Sequence, residues 1–167
     1  LLHEALTQPS RVAIIGAGLV GCEFANDLHA GGHQLTVIAP ESAPLPRLLP
    51  EPLGHALANA FHAAGIRLAL GRSLDTLSQA ADNAVALHLD NGERHAVDLV
   101  LFATGLIPRT ALAEAAGLTV SASGIHVDRH LRTRQPNVYA LGDAACIDGV
   151  NAMYVQPLQA SVKALAA

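Results

Sequence analysis

Short apolar runs alternate with a helical pattern near the start of the chain. Residues 11–15 and 35–38 are dominated by Val, Ile and Leu, which is typical of strands buried on both faces of a parallel sheet. Between them, Val20–Ala30 has apolar side chains at helical spacing, and the pair Gly31-Gly32 predicts the end of that helix. Together these elements predict a βαβ unit of the usual length.

The hydrophobic period changes further along the chain. A second helix is predicted at Glu51–Ala64, after a proline-rich connection, and a third strand at Ile66–Leu70. Residues 84–89 and 94–97 flank Asn91-Gly92, which predicts an antiparallel hairpin with a type I′ turn. Asp98–Ala103 is again typical of a buried parallel strand. We therefore predict an α/β, Rossmann-like three-layer fold with a parallel central sheet and an antiparallel β-hairpin or meander crossover.

The pattern differs again after Pro108. It predicts a short helix at Ala111–Ala116, strands at Gly124–Asp128 and Val138–Leu141, and a last helix that begins near Pro157. We therefore predict two domains, residues 1–110 and 111–167.

Composition narrows the class of protein. Of the 167 residues, 51% are apolar and 14% are charged, against about 25% charged in typical domains, which excludes a disordered chain and indicates that some surface is normally covered. A net charge of −4 with only ten Lys and Arg argues against nucleic-acid binding. No apolar run approaches the ~18 residues of a membrane span, and two unpatterned cysteines fit a cytoplasmic protein. The chain starts without Met and ends within a helical pattern, which predicts a segment of a longer protein.

Gly16, Gly18 and Gly21 form a Gly-x-Gly-x-x-Gly motif between the first predicted strand and the first predicted helix. In that context the motif predicts a dinucleotide site. Gly16 would allow the tight turn, Gly18 would let a pyrophosphate approach the main chain, and Gly21 would let the helix pack on the strand. The helix N-terminus would favour the phosphates. A glycine-rich turn that binds nothing is the alternative.

The acid that usually binds the adenosine ribose is displaced in this sequence. Ala39 occupies the end of the second strand, where an NAD site normally has Asp or Glu. Glu41 is either the substitute or an ordinary exposed loop residue, and Arg47 is the nearest downstream arginine that could reach a phosphate. We therefore predict NAD rather than NADP as the cofactor.

Other candidate residues have simpler explanations. Glu23 is predicted in the first helical turn, where a carboxylate stabilises the helix through its dipole. The Cys22 thiol would have a lowered pKa for the same reason, but a small buried residue is favoured because no patterned base accompanies it. The nine histidines lack completing Cys or carboxylate ligands, so we interpret them as surface residues and predict no metal site.

Several motifs resemble those of one known family. The glycine motif extended to Leu28 is followed by these segments: Thr36–Pro40, Pro44–Pro50, Ala103–Gly105, Leu131–Thr133, Tyr139–Asp143 and Tyr154–Leu158. With them the chain resembles the FAD-dependent pyridine nucleotide oxidoreductases over essentially its whole length, and within that family it is most similar to the rubredoxin-reducing branch. The resemblance implies an FAD/NAD(P)-binding fold in which residues 1–110 bind NAD(P) and residues 111–167 return to the FAD domain.

The resemblance also implies roles for individual residues. The three glycines of the motif would cradle the NAD pyrophosphate, Glu23 would lie near the nicotinamide carboxamide, and Gly105 would line the nicotinamide end. Gly142 would present Asp143 to the ribityl chain of the flavin. The helix near Pro157 would point its positive end at the flavin ring.

The implied activity is hydride transfer from NADH to FAD, followed by single-electron transfer to an iron–sulfur carrier such as rubredoxin. No residue of this chain is expected to act as a catalytic acid or base. The alternatives are a nitrite reductase or ferredoxin reductase flavoprotein, and a non-catalytic NAD-binding module. We expect this segment alone to bind NADH, to be inactive and to purify without flavin colour.

Overall fold

A parallel sheet organises the first part of the chain. The computed structural model describes residues 4, 6–80 and 83–166. Its elements up to Gly105 are β1 (Arg11–Ile15), α1 (Leu19–Ala30), β2 (Gln34–Ala39), α2 (Glu51–Ala64), β3 (Arg67–Leu70), β4 (Leu74–Gln79), β5 (Val85–Leu89), β6 (Arg94–Val97) and β7 (Leu99–Phe102). The parallel sheet has the order β3-β2-β1-β7, and β4-β5-β6 form an antiparallel sheet.

Alternate residues of β1 are buried against different layers. Val12 and Ile14 belong to a cluster with residues of α1 and α2, whereas Ala13 and Ile15 pack with Leu87 and other residues of the antiparallel sheet. Successive side chains of a strand point to opposite faces, so a central strand covered on both sides must be apolar throughout. The three-layer α/β arrangement predicted from the sequence is confirmed.

The remaining residues form a second compact unit, Leu106–Ala167, after a first unit of Leu1–Gly105. The second unit contains α3 (Ala111–Ala115), β8 (Val120–Ser121), β9 (Gly124–Val127), a 3₁₀ turn (Gly142–Ala144), β10 (Ala145–Ile147) and α4 (Val155–Ala166). Its sheet has the order β10-β9-β8. Ala167, which the sequence places in the last helix, lies outside the described residues. No helix among those described is long and apolar enough to cross a membrane.

Two sequence-based expectations about local structure are wrong, and strands β4, β8 and β10 were not predicted. Strand β4 was not predicted, because its residues are mostly polar and exposed at a sheet edge. The hairpin turn is not type I′, since of its central pair only Gly92 has a positive φ, 85°. The Gly92 N–H donates to the Leu89 carbonyl, and the Leu89 N–H donates to the Glu93 carbonyl. This is the pattern of a type I turn followed by a bulge.

The second wrong expectation is a strand at Val138–Leu141. This segment contributes one antiparallel bridge, between Arg132 and Tyr139, and β10 pairs with β9 instead. The left-handed backbone of Asn137, with φ of 61°, lies directly before this segment, and that of Gly142, with φ of 75°, lies directly after it, so the extended stretch is short. The last helix begins at Val155, so Pro157 lies in its first turn, where a proline costs no helical hydrogen bond.

Candidate functional site

The candidate site lies at the carboxyl ends of β1 and β7. The chain leaves β1 toward β2 on one side, and β7 pairs with β1 on the other side, with Ile15 opposite Phe102. Ligands of open α/β sheets bind at such a point, where the strand order reverses. The glycine motif follows directly after Ile15.

Gly16 makes the turn out of β1 and is held tightly. Its φ is +112°, and its N–H donates to the Ile38 carbonyl over 2.8 Å. A Cβ at this position would lie 2.4 Å from the Ala103 carbonyl oxygen. Both the backbone conformation and the space therefore require glycine.

Gly21 lets α1 approach this turn. A Cβ on Gly21 would lie 2.1 Å from the Gly16 carbonyl oxygen, far inside van der Waals contact. The close packing of the helix on the strand-to-helix turn agrees with the role predicted for this residue from the sequence.

Gly18 differs from the other two glycines because the space in front of it is open. No protein atom would lie within 4 Å of a Cβ there, and its φ of −74° suits any residue. The first helical hydrogen bond runs from the Cys22 N–H to the Gly18 carbonyl, 2.9 Å. Within the described part of the chain, the N–H groups of Leu19, Val20 and Gly21 have no protein acceptor. Open space before unpaired N–H groups at a helix N-terminus is suited to an anion.

The loop after β2 closes over the same turn. The Leu45 N–H donates to the Ala17 carbonyl over 2.8 Å. Ala39, at the end of β2, is 1% exposed and apolar, so it offers no ligand for a ribose hydroxyl. Glu41 and Arg47 have exposed side chains on this loop. The loop that carries Glu41 and Arg47 is therefore bonded to the glycine turn through Leu45.

Arg72 also lies at the end of β2, although no signal in the sequence predicts it there. Its N–H donates to the Ala39 carbonyl over 3.0 Å, and the Gly71 N–H donates to the Glu41 carbonyl over 2.9 Å. The pairing of β3 with β2 produces this contact between residues 33 positions apart, and no local pattern in the sequence indicates it.

Glu23 does not lie where the sequence analysis placed it. The helix begins at Leu19, so Glu23 is its fifth residue, in the second turn, and its side chain is exposed. Stabilisation through the helix dipole falls off beyond the first turn, so that explanation of Glu23 is wrong.

The buried interpretation of Cys22 is confirmed. The residue is 6% exposed and its Sγ donates to the Ala17 carbonyl. Burial raises the pKa of the Cys22 thiol, whereas the Leu45 backbone hydrogen bond opposes that shift. A protonated, buried thiol is a packing group and a poor nucleophile.

The histidines are not all on the surface. His33 is 9% exposed, and its Nδ1 accepts a hydrogen bond from the Ser10 N–H over 3.2 Å. This hydrogen bond compensates its burial, and the expectation of a surface residue is wrong there. Among the described residues, no three His, Cys, Asp or Glu side chains are grouped to hold a metal ion.

Gly142 and Asp143 lie in the second unit, in the 3₁₀ turn. Gly142 has a φ of +75°, and a Cβ there would lie 3.1 Å from Cδ1 of Leu158 in α4. The Asp143 side chain is exposed, and its backbone carbonyl accepts from Nδ2 of Asn151 over 2.8 Å. The turn therefore packs beside the first part of α4 and presents a carboxylate to solvent. In the first unit, Gly105 follows β7 with a φ of +91° and open space around it.

Comparison with known proteins agrees with this geometry. The family model described as pyridine nucleotide-disulphide oxidoreductase matches residues 2–164. The chain belongs to this family.

Individual relatives are similar over nearly the whole chain. A rubredoxin-NAD(+) reductase from Acinetobacter baylyi is 41% identical over 97% of this chain and 41% of its own length. A nitric oxide reductase FlRd-NAD(+) reductase from Vibrio vulnificus is 42% identical over 98% of this chain and 42% of its own length. A chain of the covalent putidaredoxin reductase–putidaredoxin complex is 26% identical, with a TM-score of 0.90 over 99% of this chain and 41% of that chain. The chain thus spans about two fifths of the length of these relatives.

Proposed function

We propose that this chain carries the NADH site of an FAD-dependent oxidoreductase. The observation that carries the proposal is the open space at Gly18 in front of the unpaired N–H groups of Leu19, Val20 and Gly21. A pyrophosphate needs N–H donors and no obstructing side chain, and this turn supplies both. Gly16 and Gly21 support the site by holding the turn against β7 and α1.

The residues around the turn would contact the rest of the nucleotide. Glu41 and Arg47 would lie toward the adenosine, because their loop is bonded to Ala17. Glu23 and Gly105 would lie toward the nicotinamide, as the family resemblance implies.

The second unit supports the flavin part of the proposal. The exposed carboxylate of Asp143 and the N-terminal turn of α4 lie beside Gly142, which suits a hydroxylated chain and an electron-accepting ring respectively. When bound, the flavin would accept a hydride from NADH and release single electrons to an iron–sulfur carrier such as rubredoxin. The protein residues would bind and orient the cofactors. Two free cysteines, both buried, fit the cytoplasmic location that we propose for the enzyme.

The similarity to relatives also supports a second candidate electron acceptor besides rubredoxin. A relative whose name specifies nitric oxide reductase FlRd is as similar to this chain as one whose name specifies rubredoxin. The identity of the electron carrier therefore has to be decided by experiment. NADH oxidation by a full-length enzyme that contains this chain, assayed with rubredoxin and with the FlRd carrier that the Vibrio relative's name specifies, decides between the two carriers. A protein that turns over neither carrier nor dye supports the non-catalytic module instead.

Calorimetric titration of the 167-residue chain with NADH tests the nucleotide site. Gly18→Ala adds a methyl group in the open space without backbone strain, and we expect at least about tenfold weaker binding, near 1.4 kcal/mol. Ala96→Val, which adds bulk at an exposed position of β6, is the matched control and should bind normally. Unchanged NADH affinity in Gly18→Ala would refute the site.

The same preparation tests the flavin proposal. The chain alone should purify colourless, because we assign it only part of the flavin site. A stoichiometric flavin absorbance spectrum would contradict that assignment.

A further inference from the structure

The turn after β3 is bonded directly to the end of β2. The backbone N–H of Arg72 donates to the Ala39 carbonyl over 3.0 Å, and the Gly71 N–H donates to the Glu41 carbonyl over 2.9 Å. These bonds hold Arg72 beside the position where a dinucleotide site normally carries its ribose-binding acid. Ala39, which occupies that position, is buried and apolar. The polar groups at this edge therefore come from the flanking loops.

The Arg72 guanidinium has unused hydrogen-bond donors. Its Nη1 donates to the Gly71 carbonyl over 2.9 Å, and its side chain is exposed. A guanidinium carries five N–H donors, so four remain for a ligand. In the part of the chain that the structure describes, neither Arg72 nor Glu41 forms an ion pair. A free cation and a free carboxylate thus flank the end of β2.

We propose that Arg72 is a specificity-determining residue that contacts the 2′ position of the adenosine ribose and allows the site to accept NADPH. A planar guanidinium binds a phosphate through two parallel hydrogen bonds, whereas the Glu41 carboxylate would accept from the free 2′-hydroxyl of NADH and repel a 2′-phosphate. The balance between these two residues then sets the nucleotide preference. This inference rests on the proposed function, because it requires the nucleotide to lie in the glycine crevice.

Arg67, at the start of the strand that Arg72 follows, offers a matched control. It is an exposed arginine at the opposite end of β3. With a rise of about 3.3 Å per residue, Arg67 lies roughly 10 Å from Leu70, the end of β3 that Arg72 follows. Arg67→Ala therefore removes the same charge without touching the end of β2.

The experiment is a calorimetric titration of the wild-type chain, Arg72→Ala, Arg72→Lys and Arg67→Ala with three ligands: NADH, NADPH and adenosine 2′,5′-bisphosphate. We expect Arg72→Ala to weaken the binding of NADPH and of the bisphosphate about fivefold, because an exposed charge-assisted hydrogen bond is lost. The affinity for NADH should change less than about twofold. Arg72→Lys should retain part of the NADPH affinity. Arg67→Ala should match the wild type. The NADPH effect should shrink in high salt, because the contact is exposed.

Several results overturn the inference and leave the proposed function intact. One such result is that Arg72→Ala loses affinity for NADH and NADPH equally. Another is that Arg67→Ala loses as much NADPH affinity as Arg72→Ala does. A third is that the wild-type chain binds NADH but does not bind NADPH. Wild-type chain that binds neither nucleotide contradicts both proposals. Thermal melts verify that each variant folds, and Arg72→Lys provides the comparison if Arg72→Ala does not.

Discussion

Gly21→Ala should damage the fold of the nucleotide crevice. The added Cβ would lie 2.1 Å from the Gly16 carbonyl oxygen, so α1 and the turn must separate by more than about 1 Å to reach ordinary contact. The turn itself cannot yield, because Gly16 is held by Ile38 and packs on the Ala103 carbonyl. The helix must move instead.

The loss of stability comes from the buried contacts that α1 would give up when it moves. Cys22 and Ala25 of α1 are buried in the cluster that also contains Val12 and Ile14. Overpacking of this kind costs about 1–3 kcal/mol, and each kcal/mol lowers the melting temperature by about 2–4 °C in a chain of this size. We expect Gly21→Ala to melt roughly 2–12 °C below the wild type by circular dichroism.

Gly18→Ala is the matched comparison for this variant. The same methyl group meets no protein atom there, and a φ of −74° suits alanine. Lower chain entropy in the unfolded state offsets the weaker helix cap, so stability should stay within about 1 kcal/mol of the wild type. A Gly21→Ala variant as stable as the wild type would refute the packing role of Gly21. A Gly18→Ala variant that melts at the same temperature as Gly21→Ala would refute the assignment of open ligand space to Gly18.

Three further predictions concern other positions. Arg11 lowers the pKa of Asp98 through side-chain and backbone hydrogen bonds, so the stability from this pair is present above the unfolded pKa of about 3.9 and is lost as the pH falls below it. Below that pH, the free energies of unfolding of the wild type and of Asp98→Asn, measured in urea, should converge. A difference that stays constant down to low pH would contradict this linkage. Gly92→Ala should lower the unfolding free energy by about 1 kcal/mol, because the φ of Gly92 is +85°; a neutral effect in chemical denaturation would exclude strain at this turn. Glu41→Gln should weaken NADH binding about threefold in calorimetry and leave stability unchanged, whereas equal affinity would assign Glu41 to solvent.

The elements that depend on neighbours in sequence were predicted well. β1, α1 and β2 follow from apolar runs, a helical period and terminal glycines, all of which are local signals. The three glycines were likewise interpretable one by one, because a tight turn, an open approach and a close helix contact each require the same residue for a different reason. Glu23 was misassigned because the helix starts one residue earlier than predicted, which moves that side chain out of the first turn.

The elements that depend on pairing between distant segments were not predictable in the same way. Arg72 reaches Ala39 only because β3 pairs in parallel with β2, and nothing near Arg72 in sequence signals this. Strand β4 is exposed and polar, so it lacks the alternation that marks a half-buried strand. Val138–Leu141 has a strand-like composition, but Ala145–Ile147 occupies the place beside β9. Composition alone does not identify which of two candidate segments pairs.

The second unit should be the less stable part of this chain. Its buried cluster contains Val127, Leu131 and Ala145, a much smaller set than the two clusters that cover β1. No residue of α4 is fully buried, and a twelve-residue helix has little stability of its own.

Hydrogen exchange measures this difference directly. Amides of α4 should exchange at least about a hundredfold faster than those of β1, because opening of the helix exposes little apolar surface. Equal protection in both elements would show that α4 is held by contacts stronger than its partly buried Leu158 and Leu165 provide. The expected result has a consequence for the flavin part of the proposal. The N-terminal turn of α4 can hold its dipole toward a ligand only when the helix is formed, so a chain in which α4 opens readily should bind flavin weakly, whereas the glycine crevice, framed by β1 and β7, should bind NADH.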